Sequence, residues 1–250
     1  MQPKDNFSTQ ADLYARYRPN YPQELIDFLL HLTPKPYKAA WDCATGNGQV
    51  AQAIAPFFEH IYATDLSEKQ LEHAPQQANV QYQVATAENA PHIPDHSCQL
   101  ITVAQAIHWI DTTAFYKEAH RIATPNALLA IWGYGLHKIN PQIDTIIQHF
   151  YTQIVGKYWD EERKHIDQAY SQIPFPYSQI TTPEFFIEKH WDLHTLIGYL
   201  NTWSSTQKYI KIHQQNPIEA IQKDLQNAWQ NPNENKPIRW NIFMKTTILS

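Results

Sequence analysis

Glycine is scarce in this chain, six in 250 residues. Few places can therefore adopt sharply bent backbone, and two glycines one residue apart, Gly46 and Gly48, mark a spot where that freedom is needed. There are two cysteines, Cys43 and Cys98, both in segments that read as buried strands. That pattern argues against a disulfide framework and sets the expectation of a reduced, cytoplasmic protein. No apolar run approaches the roughly 20 residues of a membrane span, and the start lacks a hydrophobic signal region, so no membrane association is expected. Lysine and arginine number 19 against 24 acids, giving a net charge of −5. They form no basic run, as a nucleic-acid groove or a surface for anionic lipid requires, so no nucleic-acid partner is expected. No set of His, Cys, Asp and Glu has metal-ligand spacing, and no Gly-x-Ser-x-Gly elbow occurs. What remains is a chain whose partners are small molecules.

Hydrophobic residues make up 43%, enough for one large core, and a single domain over residues 1–250 is expected. Strand-like runs at 39–43, 60–64, 80–84, 99–103 and 127–132 alternate with helical patterns, beginning with an amphipathic helix at 22–32. That alternation predicts an α/β fold with a mostly parallel sheet covered on both faces. A sixth strand is predicted at 185–191, a helix at 192–203, and a seventh strand at 238–245 from apolar residues at every second position. Residues 136–183 read as a helical, aromatic and proline-containing insertion over the carboxyl ends of the strands, where lids are built.

The run Trp41-Asp42-Cys43-Ala44-Thr45-Gly46-Asn47-Gly48 leads from the first strand into a helix expected over 49–58. Such a turn cradles a nucleotide-like ligand. The second strand ends at Asp65, 19 residues after Gly46, the spacing at which an acid grips both hydroxyls of a ribose. A simple helix-capping role for Asp65 is the alternative, although Ser67 and Gln70 already supply a capping box. Asp42 bears on which cofactor is bound. A carboxylate there repels a pyrophosphate and attracts the amino group of a methionine moiety, which favours S-adenosylmethionine over a nicotinamide dinucleotide.

Taken together, Asp-x-Ala-x-Gly-x-Gly at 42–48, Asp65, Ala87-Glu88 after the third strand, and the run from Gln99 to Trp109 resemble the class I S-adenosylmethionine-dependent methyltransferases. Tyr14, Tyr17, Arg18, Pro19, Tyr21 and Pro22, together with the Thr-Trp-Ser-Ser segment at 202–205, are similar to the small-molecule branch that includes trans-aconitate methyltransferase-like proteins. The resemblance implies a Rossmann-like, doubly wound sheet of seven strands whose last strand lies antiparallel beside the fifth. It also implies that Leu66 flanks the adenosine, that Ala87 and Glu88 meet the adenine edge, and that Tyr14 and Arg18 close the methionine end. Glu88 as a helix-start acid and Arg18 as a surface ion pair are the alternatives.

Ligands in open α/β sheets sit beyond the carboxyl ends of the strands. That rule adds Ala44, Thr45, Gly46, Gly48, Ala104 and Gln105 to the cofactor site; Trp109, Trp132 and Tyr134 at strand ends, together with Trp203, are expected to wall an aromatic substrate pocket, with core packing as the alternative for the aromatics. His108 is the one candidate general base by position; it can also donate to an acidic substrate or satisfy a neighbour. The expected activity is methylation of a small molecule, on a carboxylate or hydroxyl oxygen, by a monomer or homodimer. A catalytically silent cofactor-binding protein of the same fold and a nicotinamide oxidoreductase are the competing readings.

Overall fold

The computed structural model describes Tyr17 and residues 19–249. Seven strands form one sheet: β1 (Ala39–Cys43), β2 (His60–Asp65), β3 (Val80–Val84), β4 (Cys98–Ala104), β5 (Ala123–Tyr134), β6 (Phe185–Trp191) and β7 (Lys236–Leu249), in the order β3-β2-β1-β4-β5-β7-β6. The first five are parallel, with Ala40 opposite both Ile61 and Leu100. β7 is antiparallel to both neighbours, placing Leu128 opposite Ile248 and Ile187 opposite Trp240. Strand order reverses between β1 and β4, which creates the switch-point crevice where α/β sheets hold ligands.

Burial on both sheet faces explains why the central strands read as continuous apolar runs. One face packs Ala40, Leu128 and Ala130 against α1 (Gln23–Leu32) and α2 (Gln49–Ile54) through Leu25, Ile26, Leu29 and Ile54. After α3 (Glu68–Glu72), α4 (Thr112–Ile122) covers the other face, packing Phe115, Ala119 and Ile122 on Trp41, Ile101 and Leu129. Neighbouring residues of β1 thus serve opposite layers, as the two-residue period of a strand requires.

The stretch at 136–183 is helical only in its first part: α5 (Pro141–His149), a π turn at Phe150–Ile154, a 3₁₀ turn at Gly156–Tyr158 and α6 (Arg163–Asp167). The remainder passes through turns at 168–173 and then follows β7, with the Ile180 amide donating to Thr246 at 2.9 Å and the Thr247 hydroxyl donating to Ser178 at 3.0 Å. Beyond α7 (Leu193–Asn201) come two helices without a sequence forecast, α8 (Ser204–His213) and α9 (Glu219–Trp229). α8 buries only Ser205 and Thr206 and so displays no apolar period, whereas α9 buries Ile221, Leu225, Ala228 and Trp229 at helical spacing, a signal that is present in the sequence itself. α2 ends at Ile54, short of the expected 58, while β5 and β7 each exceed their expected lengths because they pair with each other from Ala127–Leu249 to Tyr134–Ile242. Both cysteines are free and buried, and burial raises both thiol pKa values, that of Cys98 to about 12.

Candidate active site

Three positions with positive φ bend the chain where β1 meets α2: Ala44 at 54°, Gly46 at 59° and Gly48 at 81°. A Cβ on Gly46 would meet nothing within 4 Å, so that glycine borders open space, whereas one on Gly48 would strike the Tyr82 hydroxyl. Asp42 fixes the bend from beneath. Its carboxylate accepts from the Thr45 hydroxyl, from the Ala51 amide at 3.0 Å and from the Thr102 hydroxyl at 2.8 Å. Burial still drives its pKa up to about 6, with the Asp65 charge adding to the rise. Asp65 reaches across from the end of β2, accepting from the Gly46 amide at 2.8 Å through one oxygen and from the Ser67 amide at 2.9 Å through the other. Ser67 also caps α3, as the capping box at Ser67 and Gln70 anticipates.

A cavity of about 540 Å³ opens over these groups at the switch point. Asp42, Asp65, Glu88, Asp111 and Glu162 contribute carboxylates to its wall, and among the described lining residues there is no Lys, Arg or His. Its field therefore favours a cation. Leu66 lies in the same wall with 48% of its surface exposed, an apolar face available to a flat ring. Glu88 accepts from the Asp111 amide at 2.9 Å, and Asp111 caps α4 through Thr113 and Ala114, so the two acids are fixed at one rim. On the β4 side, Gln105 is bent at φ 57°, bonded to Trp132 through its amide and to Tyr134 through its side chain.

The cavity therefore brings together Asp42, Ala44, Thr45, Gly46, Asp65, Leu66, Ala87, Glu88, Ala104 and Gln105, together with Trp109. Gly48, the N-cap of α2, is not a lining residue, and Tyr14 and Arg18 lie outside the described residues. His108, Trp132, Tyr134 and Trp203 are not lining residues. The imidazole of His108 pairs with the Tyr170 hydroxyl at 3.2 Å and lies against the Trp109 ring, and burial lowers its pKa to about 3. Trp132 and Tyr134 stand behind Tyr21, which does line the cavity, with ring centroids at 5.4 and 6.4 Å. Trp203 belongs to an aromatic cluster with Phe150, Tyr151 and Trp159. Sequence reasoning gave no role to Tyr21, Asp111 or Glu162. Asp111 carried one usable signal, an N-cap acid immediately before an amphipathic helix.

A doubly wound sheet with a glycine-bent loop and an acid-lined cavity at its switch point defines a class of enzymes that bind an adenosine-bearing cofactor. Comparison narrows the class. A family model described as a methyltransferase domain matches residues 41–131. A Dictyostelium discoideum protein named as a methyltransferase is 32% identical over 229 residues, covering 90% of this chain and 87% of that one. A solved structure described as a type II methyltransferase from Anaeromyxobacter dehalogenans superposes with a TM-score of 0.85 at 32% identity, covering 93% of this chain and 98% of that one. A Saccharomyces cerevisiae protein named as an S-adenosylmethionine-dependent methyltransferase is 23% identical over 136 residues, covering 52% of this chain and 47% of that one. The chain belongs to the class I S-adenosylmethionine-dependent methyltransferases, and S-adenosylmethionine is its methyl donor. No described helix is long and apolar enough to cross a membrane, and no group of three metal-ligating side chains occurs among the described residues.

Proposed function

We propose that the protein methylates a small molecule on a carboxylate or hydroxyl oxygen, as a single domain whose 136–183 insertion borders the acceptor. The observation that carries the donor half of this reading is the cavity wall, with five carboxylates, an exposed Leu66 and open space above Gly46. These features suit the donor. Asp65, at the end of β2, takes the ribose hydroxyls, Leu66 covers one face of the adenine, and Ala87 and Glu88 read its edge. Asp42 holds Thr45, Thr102 and the start of α2 in place and adds negative charge beneath the amino-acid end, which Tyr14 and Arg18 close. S-adenosylmethionine, when bound, supplies an electrophilic methyl group on a positively charged sulfur. Tyr21, Gln105, Trp109 and Glu162 then border the acceptor.

An ionised carboxylate needs no base, so the chain's part is to align the acceptor and keep water out. His108 fits that economy as a positioning residue, holding the Trp109 wall on one side and Tyr170 of the insertion on the other. The similarity to the trans-aconitate methyltransferase-like branch supports an organic acid as the acceptor class. The test is incubation of the purified chain and S-adenosylmethionine with a library of small acids, hydroxyl compounds and amines, followed by mass spectrometry. One added methyl group, removable from acid products by mild base, is the expected result. Transfer confined to amines would overturn the oxygen assignment.

A further inference from the structure

Outside the donor cavity, one group of buried polar atoms lacks partners. His137, 1% exposed, has no hydrogen bond at either ring nitrogen, and Ser205 and Thr206, both 0% exposed, have none at their hydroxyls. Folded proteins satisfy nearly all such atoms, so a cluster of exceptions calls for a cause. Trp203 links the three. Ser205 and Thr206 occupy the first turn of the ten-residue α8, whose N-terminus has no side-chain cap. Their Cβ atoms tilt toward that N-terminus, aiming both hydroxyls at the end where the helix has unbonded N–H groups. His137 packs against Trp203, the residue directly before α8, with ring centroids 6.3 Å apart, and against Trp240 at 5.6 Å.

We infer that the N-terminus of α8 and His137 form a subsite for an anionic oxygen group of the methyl acceptor, a carboxylate set apart from the oxygen that is methylated. This rests on the small-molecule methyltransferase reading above. The sign of the ligand follows from the groups present: two hydroxyl donors, the free amides at the positive end of a helix, and an imidazole N–H. Its assignment to the acceptor follows from position, because Tyr21 of the cavity wall contacts Tyr134, Tyr134 contacts Trp240, and Trp240 contacts His137. Within the Thr-Trp-Ser-Ser segment, Trp203 thereby shields the subsite and Ser205 furnishes a donor.

The experiment uses the full chain with S-adenosylhomocysteine and titrates in glutarate, succinate and benzoate, each against its methyl ester, by calorimetry. At least one acid should bind about tenfold or more tightly than its ester. The double variant Ser205→Ala/Thr206→Val should lose that preference while keeping its affinity for S-adenosylhomocysteine, and its Tm should hold or rise because two unpartnered hydroxyls are gone. In parallel, the ¹⁵N-labelled His137 imidazole should shift on addition of the acid in the parent chain and not in the double variant, with or without S-adenosylhomocysteine. Equal acid binding by parent and double variant overturns the inference, as does the absence of acid binding or of a His137 response. Failure to bind S-adenosylhomocysteine would instead count against the donor assignment and leaves the imidazole titration to decide the subsite.

Discussion

The Tyr82 hydroxyl stands 2.5 Å from where a Cβ on Gly48 would lie, whereas nothing stands within 4 Å of the same point on Gly46. The two glycines thus serve different ends. Gly48→Ala should destabilise the fold by about 2–3 kcal/mol, combining left-handed strain with overlap, and Tyr82→Phe should restore part of the loss. Gly46→Ala should cost about 1 kcal/mol of stability from strain alone, yet weaken S-adenosylhomocysteine binding more than Gly48→Ala does. Urea unfolding and calorimetry on the three variants check this ordering.

Asp65→Ala removes the acceptor for the Gly46 and Ser67 amides along with the grip on ribose. Affinity for S-adenosylhomocysteine should fall by about ten- to hundredfold, the effect of losing hydrogen bonds to a charged group. Titration calorimetry is the check, and unchanged affinity would remove Asp65 from the site.

His108 is neutral and engaged by Tyr170, so His108→Asn should keep kcat within about tenfold of the parent, where loss of a general base costs about 10²–10⁴-fold. The kcat profile should be flat from about pH 6 to 9 in both proteins. An acidic limb present in the parent and absent from the variant would restore His108 as a base.

His137 is held neutral by burial, its pKa lowered from 6.5 to about 3. Above pH 6.5 neither the folded nor the unfolded state is protonated there, so the group leaves stability unchanged. As pH falls below 6.5 only the unfolded chain gains the proton, and stability should drop by about 1.4 kcal/mol per pH unit once the limb is developed. Asp42, raised from 3.8 to about 6, acts oppositely: its folded form takes up a proton first, which stabilises the fold as pH falls through that window. His137→Gln should therefore flatten the acid limb and Asp42→Asn should steepen it. Urea midpoints at about pH 4.5, 5.5 and 7 would reveal both slopes.

Strand positions were legible because central parallel strands are buried on both faces, so β1 and β4 appear as short apolar runs in the sequence itself. Gly46 and Asp65 were legible because a bent loop and an acid 19 residues on are forced by the same ligand geometry, and the structure joins them at 2.8 Å. Glu162 and Tyr21 were not, since their place in the cavity wall comes from tertiary packing and leaves no local period. The contrast between Trp109, which lines the cavity, and Trp132, which is fully buried behind Tyr21, likewise depends on which side of a strand end each ring takes.

β6 meets only β7, with Phe185 opposite Ile242 and Trp191 opposite Lys236, while β7 also completes the exposed side of β5. During synthesis both β5 and β6 therefore leave the ribosome as open edges and stay so until the 236–249 segment follows. The sheet closes like a zip whose slider is made last, and truncation within that segment would bare the margin of β5 and leave β6 without a partner on either side.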